Sequence, residues 1–437
     1  MSRRFLVAVG ILVLFVFLIP IEHKYDKWFR FFSIKLIPEG LSVTGQYEKK
    51  IYFYLSDFLA LALTWIGLVS FRIPLKKWFA SPLWIVWICA FLSILVSPFS
   101  HYPIPYFRLL QLFTPIALFS FIAHAFSEEE KEKALRAVLI AVVFAGVIQA
   151  VIGTVQYFHQ GPLGLRLLGE VKRMSYFSMP EGSRWLFDSI LGIQGKSTFI
   201  RRAQGTLPHA NVFGGFLVLS IMATYFLAKE KSIWLITLPL QLFALAVSYS
   251  RSALLGWVIG STLWFFFAKL KGQKKTLFVL AASIFAISIL TFNQYFHRTN
   301  FANGSDNIRK IHHQTALEII QDNPFFGLGF TQFSEKASPY FAKEASLYVS
   351  ETAPHNIFLF LASETGLISL FAFLFFLMNL LWRARDPLFI SLLCAFIFIG
   401  LCDFYPILSQ QGRAMFFLIA SLAHLRINVL KQTPVYG

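Results

Sequence analysis

Twelve separate apolar runs decide what this 437-residue chain can fold into. They fall at about 5–20, 51–71, 82–98, 106–126, 135–157, 208–228, 233–249, 252–268, 276–292, 357–382, 387–404 and 413–427. Most reach the roughly 17–25 residues that carry a helix across about 30 Å of hydrocarbon; 233–249 and 413–427 are short for a span. In that solvent every backbone N–H and C=O must be bonded inside the protein, so repeated runs imply a helix bundle. Charged residues make up 14% of the chain, against about a quarter in soluble domains. The expected fold is an all-α polytopic membrane protein of about twelve transmembrane helices. Residues 1–437 form one integral membrane domain in this reading.

Lysine and arginine set the expected orientation. The formal charge of +17 could point to nucleic acid, but the basic residues sit in short clusters between apolar runs. That is how membrane topology is written, so no nucleic-acid partner is expected. With the amino end inside, the short cytoplasmic connections carry Lys76 and Lys77, then Lys269, Lys271, Lys274 and Lys275, then Arg383 and Arg385. The first run lacks a small-x-small cleavage site and reads as an uncleaved span, with both termini cytoplasmic. Cys89, Cys394 and Cys402 lie in or at the end of apolar runs and read as packing residues. Of the long outer connections, 158–207 and 293–356 are two large extracytoplasmic loops, and about 21–50 is a third. Residues 305–324 form an amphipathic helix within 293–356, capped by Ser305 and stopped by Asn323-Pro324, with Ile308, Ile311, Leu317 and Ile320 at a rough helical period.

Three places put polar, chemistry-bearing residues where an outer loop meets an apolar run. Residues 351–366, ETAPHNIFLFLASETG, set His355 and Asn356 at the mouth of the tenth run. Helix capping explains such a pair on its own. Tyr249-Ser250-Arg251-Ser252 forms the whole connection between the seventh and eighth runs, where Arg251 could be a snorkelling interfacial residue. The third place runs from Arg201-Arg202 through Gly205 to His209 and Asn211, just before the sixth run. Arg298 and Arg309 in the last loop are weaker candidates.

All three places belong to one outer surface. Arginines grip phosphate through planar, bidentate hydrogen bonds, and a histidine can accept a proton from a hydroxyl. Outside the cytoplasm there is no ATP, so the reaction must bring an activated donor. A polyprenyl-pyrophosphate-linked sugar supplies one: its lipid lies in the bilayer, and pyrophosphate is the leaving group. The outer segments contain no convincing metal cluster, so arginine would stabilise the charge and no cofactor is expected.

These segments resemble the O-antigen ligase and O-antigen polymerase superfamily, the membrane glycosyltransferases of lipopolysaccharide assembly. The resemblance rests on Arg202-Ala-Gln-Gly-Thr-Leu-Pro-His-Ala-Asn211, on Ser250-Arg251-Ser252, on Arg309 leading to Asn323-Pro-Phe-Phe-Gly-Leu-Gly-Phe330, and on His355-Asn356, nine residues, Gly366. It covers roughly residues 200–380. The position three after Gly366 is Ser369 rather than a second glycine. The resemblance implies a glycosyltransferase-C-like, metal-independent, inverting enzyme of the bacterial inner membrane whose active site faces the periplasm. It implies that Arg202 and Arg251 bind donor pyrophosphate, with Arg201 competing for the first role. His355 would be the base or acceptor-positioning residue, supported by Asn356, Arg309 and Asn211. The implied donor is an undecaprenyl-pyrophosphate-linked glycan, and the implied acceptor is lipid A-core or another glycan, all in contact with membrane lipid. Ligase is the preferred reading and polymerase the alternative. The short tail after the last run disfavours the protein-glycosylating type. A twelve-span transporter is the reading from another class, with Glu364 as the ionisable residue inside a run.

The topology has a direct check. Ser183→Cys and Ser338→Cys should react with an impermeant maleimide in whole cells whose outer membrane has been permeabilised; labelling only after inner-membrane lysis would reverse the orientation.

Overall fold

The computed structural model of the chain describes residues 2–21, 54–98, 103–171, 174–178, 199–267, 303–333, 337–340, 353–384 and 386–430, together with Ser100. In chain order its helices are α1 (Arg3–Leu18), α2 (Leu55–Val69), the short α3 (Leu75–Trp78), α4 (Leu83–Val96), α5 (Pro103–Ala125), α6 (Glu128–His159), α7 (Ala210–Ala228) and α8 (Leu238–Val247). They continue with α9 (Arg251–Phe267), α10 (Asn303–Asp322), α11 (Ile357–Arg383), α12 (Pro387–Cys402), the one-turn α13 (Tyr405–Leu408) and α14 (Gln410–Leu430). Between α6 and α7, β1 (Tyr176–Ser178) pairs antiparallel with β2 (Phe199–Arg201).

Every apolar run except 276–292 becomes helix; that run lies outside the described residues, as do residues 22–50 of the first outer loop, the Lys269–Lys275 cluster, Arg298 and Arg385. By length and composition, four described helices can cross a membrane: Pro103–Ala125, Glu129–His159, Ala210–Ala228 and Ile357–Arg383. The other apolar helices, α2, α4, α8 with its preceding turn, α9 and α12, have 10–17 residues. Twelve spans therefore stand as a reading of the sequence.

Helix starts follow local chemistry. Ser127 and Glu130 close a capping box on α6, the Glu130 carboxylate accepting from the Ser127 N–H at 3.1 Å. Asp386 caps α12 by accepting from the Leu388 N–H, with Pro387 at the first helical position. The buried helix α7 is central and touches α6, α8, α9, α12 and α14. Its neighbours come close wherever a side chain is missing. Gly256 and Gly260 of α9 form a small-xxx-small face against α12: an added Cβ would stand 2.8 Å from Ile399 at the first and 3.2 Å from Ala395 at the second. This contact runs the two helices side by side.

The contacts also give the helices their alternating direction. Arg136, near the start of α6, pairs with Glu230 just after α7, and Arg4 lies over Phe71 beyond the end of α2. At the opposite end of the bundle the Thr206 hydroxyl donates to the Pro20 carbonyl at 2.6 Å.

Helix α11 is broken. Gly366 has φ 84° and ψ 170°, a conformation open to glycine. The residues after α10 fill the gap: the Leu328 and Gly329 N–H groups donate to the Ser363 and Glu364 carbonyls, and the Leu367 N–H donates to the Pro324 carbonyl. The Glu364 carboxylate accepts from the Thr331 and Phe333 N–H groups at 2.6 and 3.0 Å. Ser93 of α4 accepts from the Phe330 N–H, and the Ser97 hydroxyl bonds the Gln332 amide oxygen. Phe325–Phe330 is therefore the plug of a helix break.

Helix α10 begins at Asn303, two residues before the expected Ser305 cap. Its buried face is His312, Thr315, Ala316 and Ile319, whereas Leu317 is 51% exposed. The expected stripe of Ile308, Ile311, Leu317 and Ile320 is therefore not the packed one. The i, i+3, i+4, i+7 set that faces the protein contains small and polar residues, which hydrophobicity alone passes over.

Gly366→Ala should be damaging, because its Cβ would meet the Phe325 carbonyl oxygen at 1.9 Å on top of the positive φ. A loss of at least about 2 kcal/mol is expected. Thermal unfolding in detergent should show it, with Gly10→Ala as a neutral control because no atom lies within 4 Å of its Cβ position.

Candidate functional site

The close packing of α9 on α12 brings the start of one to the end of the other. Arg251 opens α9 and Asp403 follows α12; Arg251 and Arg309 lie within electrostatic reach of Cys402, the residue beside Asp403. The turn before Arg251 also receives the segment before α7. The Ala203 N–H donates to the Val247 carbonyl at 3.0 Å, and Arg202 Nε donates to the Ser248 carbonyl at 2.8 Å. Tyr249 sits in this turn with φ 50°, its hydroxyl 3.2 Å from that of Tyr157. A left-handed tyrosine is costly, and such strain gathers at working sites.

Asp403 joins these elements. It is 3% exposed, and its Oδ2 accepts from Asn211 Nδ2 at 2.7 Å. Asn211 Oδ1 in turn accepts from Arg202 Nη2 at 2.6 Å. The other carboxylate oxygen accepts from the Phe404 N–H at 2.9 Å and faces His355 Nδ1 at 3.5 Å, an ion-pair separation at which no hydrogen bond closes. Burial pushes the Asp403 carboxyl up, but His355 and the Asn211 amide outweigh it and His209 adds to them. The pKa falls below the usual carboxylate value. Asp403 stays an anion, and the proton of His355 is accordingly assigned to Nδ1, which leaves Nε2 as acceptor.

Histidines crowd the same place. His355 lies half-buried just before α11, its ring 4.8 Å from Phe404 and 6.5 Å from the near-parallel ring of His312. His209 caps α7, with Nδ1 accepting from the Asn211 N–H at 3.1 Å. It is exposed. Desolvation by the neighbouring protein, then the Arg202 guanidinium, hold its pKa down to about 4, with Asp403 acting the other way. Burial, then His355 and His313, likewise push fully buried His312 down to about 4. His313 is lowered by burial, partly offset by its bond to the His355 backbone carbonyl.

Arg202, Arg251, Arg309, Asn211 and His355 thus fall around one end of the bundle. Arg201 is set apart in β2, its N–H bonded to Gln160 at 3.0 Å, while Arg202 enters the network. Asn356 is the cap of α11, its Oδ1 accepting from Phe358 and Leu359 at 2.8 and 3.1 Å. Capping accounts for the asparagine and leaves the histidine beside it to face Asp403. Sequence reasoning missed Asp403, His312 and His313. The first had a signal, a carboxylate directly after sixteen helical residues of α12 that carry no charge. Among the described residues, no group of three or more His, Cys, Asp or Glu could hold a metal ion.

Residues 236–374 match the model of the family described as O-antigen ligase. The matched stretch carries Arg251, Arg309, His355 and Asn356; Arg202, Asn211 and Asp403 lie outside it. The comparison with curated proteins finds no match. The family match supports the O-antigen ligase and polymerase superfamily and, with it, a membrane glycosyltransferase-like enzyme.

The histidines give a pH dependence with a definite sign. His312 has a folded pKa near 4 against about 6.5 unfolded. Its contribution to stability is full above about 6.5. Below that, the unfolded chain takes up a proton the fold refuses, so stability falls by up to about 1.4 kcal/mol per pH unit until about pH 4. Unfolding midpoints in detergent between pH 7 and 4 should show this loss, and His312→Phe should flatten it.

Proposed function

We propose that the chain is an O-antigen ligase-like glycosyltransferase. It would move a glycan from a polyprenyl pyrophosphate to a hydroxyl of lipid A-core at the periplasmic face, without a metal and with inversion. One observation carries the reading: hydrogen bonds join Arg202, Asn211 and Asp403, and His355 Nδ1 faces Asp403 at 3.5 Å, at the end of the bundle where Arg251 and Arg309 also lie. The same end holds the outer loops in the topology derived from the charged connections.

The chemistry follows from this arrangement. An acceptor hydroxyl gives its proton to His355 Nε2 as its oxygen attacks the anomeric carbon from the face opposite the leaving group. The bond from that carbon to the pyrophosphate oxygen breaks, and its electron pair leaves with the phosphate. Single displacement inverts the anomeric centre. Asp403 holds the imidazole through Nδ1 and balances the imidazolium that forms. The arginines face the charge that grows on the pyrophosphate. Glu364, the ionisable residue that favoured a transporter, holds two backbone N–H groups at the break in α11. Its charge serves the fold, which supports chemistry at the helix ends.

Substitutions separate these roles. His355→Gln should lose about 10²–10⁴-fold in transfer by purified enzyme while still binding donor. Arg202→Lys and Arg251→Lys keep the charge but lose the fork, and most transfer should go with it. Wild-type rates in both at equal protein level would make them interfacial anchors. Excess EDTA should leave the rate unchanged. In cells, deleting the gene should abolish lipid A-linked polymer while carrier-linked polymer persists; caps of a single repeat unit would instead indicate a polymerase.

A further inference from the structure

The buried imidazole of His312 has no part in the transfer chemistry, yet it stands against the one that does. We propose that His312 is a positioning residue, a planar wedge that sets the orientation of the His355 ring; this rests on the reading of His355 as the base. The His355 ring is met in three directions. Asp403 faces its Nδ1 edge at 3.5 Å, Phe404 is tilted against it at 4.8 Å, and His312 lies near-parallel, 17° away, at 6.5 Å. With these three in place the acceptor nitrogen Nε2 has one direction to face. Without His312 the ring can swing about its Cα–Cβ bond towards the vacated volume.

His312 is itself held by the fold. It belongs to the buried face of α10 with Thr315, Ala316 and Ile319, and Phe333 meets its ring edge-on at 6.3 Å and 88°. Phe333 packs with Ala316, Ile319 and Ala337, and its N–H is fixed to the Glu364 carboxylate at 3.0 Å. The break in α11 therefore orients Phe333, Phe333 orients His312, and His312 orients His355. Glu364, Phe333 and His312 are buried, so the wedge that meets the half-buried His355 ring is held in place. A ring buried this deeply also remains neutral beside an imidazolium, where a cation would oppose the proton transfer.

Steady-state transfer by His312→Ala, His312→Phe and His355→Gln, each matched for folded protein, tests the inference. His312→Ala should lower kcat by about 10²-fold, as a misplacement near 1 Å does, with the KM for donor and acceptor little changed. His312→Phe keeps a planar ring in the same volume and should restore most of kcat. His312→Leu, which fills the volume without a plane, takes the place of His312→Ala should that protein fail to accumulate folded. Full kcat in His312→Ala or His312→Leu, with His355→Gln inactive, overturns the wedge alone. Loss of kcat in His312→Phe equal to that in His312→Ala overturns it too, because the ring plane would then not be what matters. Activity in His355→Gln overturns the underlying reading of the base instead.

Discussion

Hydrocarbon forbids an unbonded backbone, and the break in α11 is where this chain confronts that rule. Once Gly366 leaves the helix, the carbonyls of Ser363 and Glu364 lose their intrahelical partners, and the turn after α10 supplies new ones. The repair fastens residues 324–333 between α4 and α11 and thereby fixes the end of α10. Arg309, His312 and His313 are delivered to His355 by a structural need that has nothing to do with catalysis. A glutamate that reads as an ion pathway in the sequence is the clasp of that repair.

A second constraint is electrostatic. Asp403 is buried among histidines and within a network that contains a guanidinium, and it remains charged because those partners outweigh burial. A lone carboxylate there would be expensive, and removing its partners would leave that cost uncompensated. The small-residue face of α9 makes the arrangement possible by letting α12 approach. Close packing and charge pairing thus act on the same pair of helices, one setting the distance that the other needs.

Much of this was legible in the sequence. The apolar runs marked the described long helices other than the amphipathic α10, because burial in lipid demands length and little else. His355, Arg202, Arg251, Asn211 and Arg309 stood out as polar residues at the edges of those runs, and the fold gathers them at one end. Asn356 was legible as a cap, since Asn before an apolar run has a strong local preference. What stayed hidden depends on tertiary contact. Asp403 fell inside the apolar run 387–404, and only the approach of α7 and α11 shows its partners. The packed face of α10 uses Thr315 and Ala316, residues that no hydrophobic period selects.

The polar chain from Arg202 to Asp403 joins residues about two hundred positions apart. In a chain threaded into the bilayer from its amino end, Asn211 and Arg202 are in place long before their carboxylate is made. Until α12 inserts, the nascent bundle carries a guanidinium at this end without the anion that balances it. Closure of this site is thus a late event of biogenesis, and a polypeptide halted before Asp403 would own most of the scaffold and none of the finished electrostatics. The last quarter of the chain completes the polar cluster as well as the bundle.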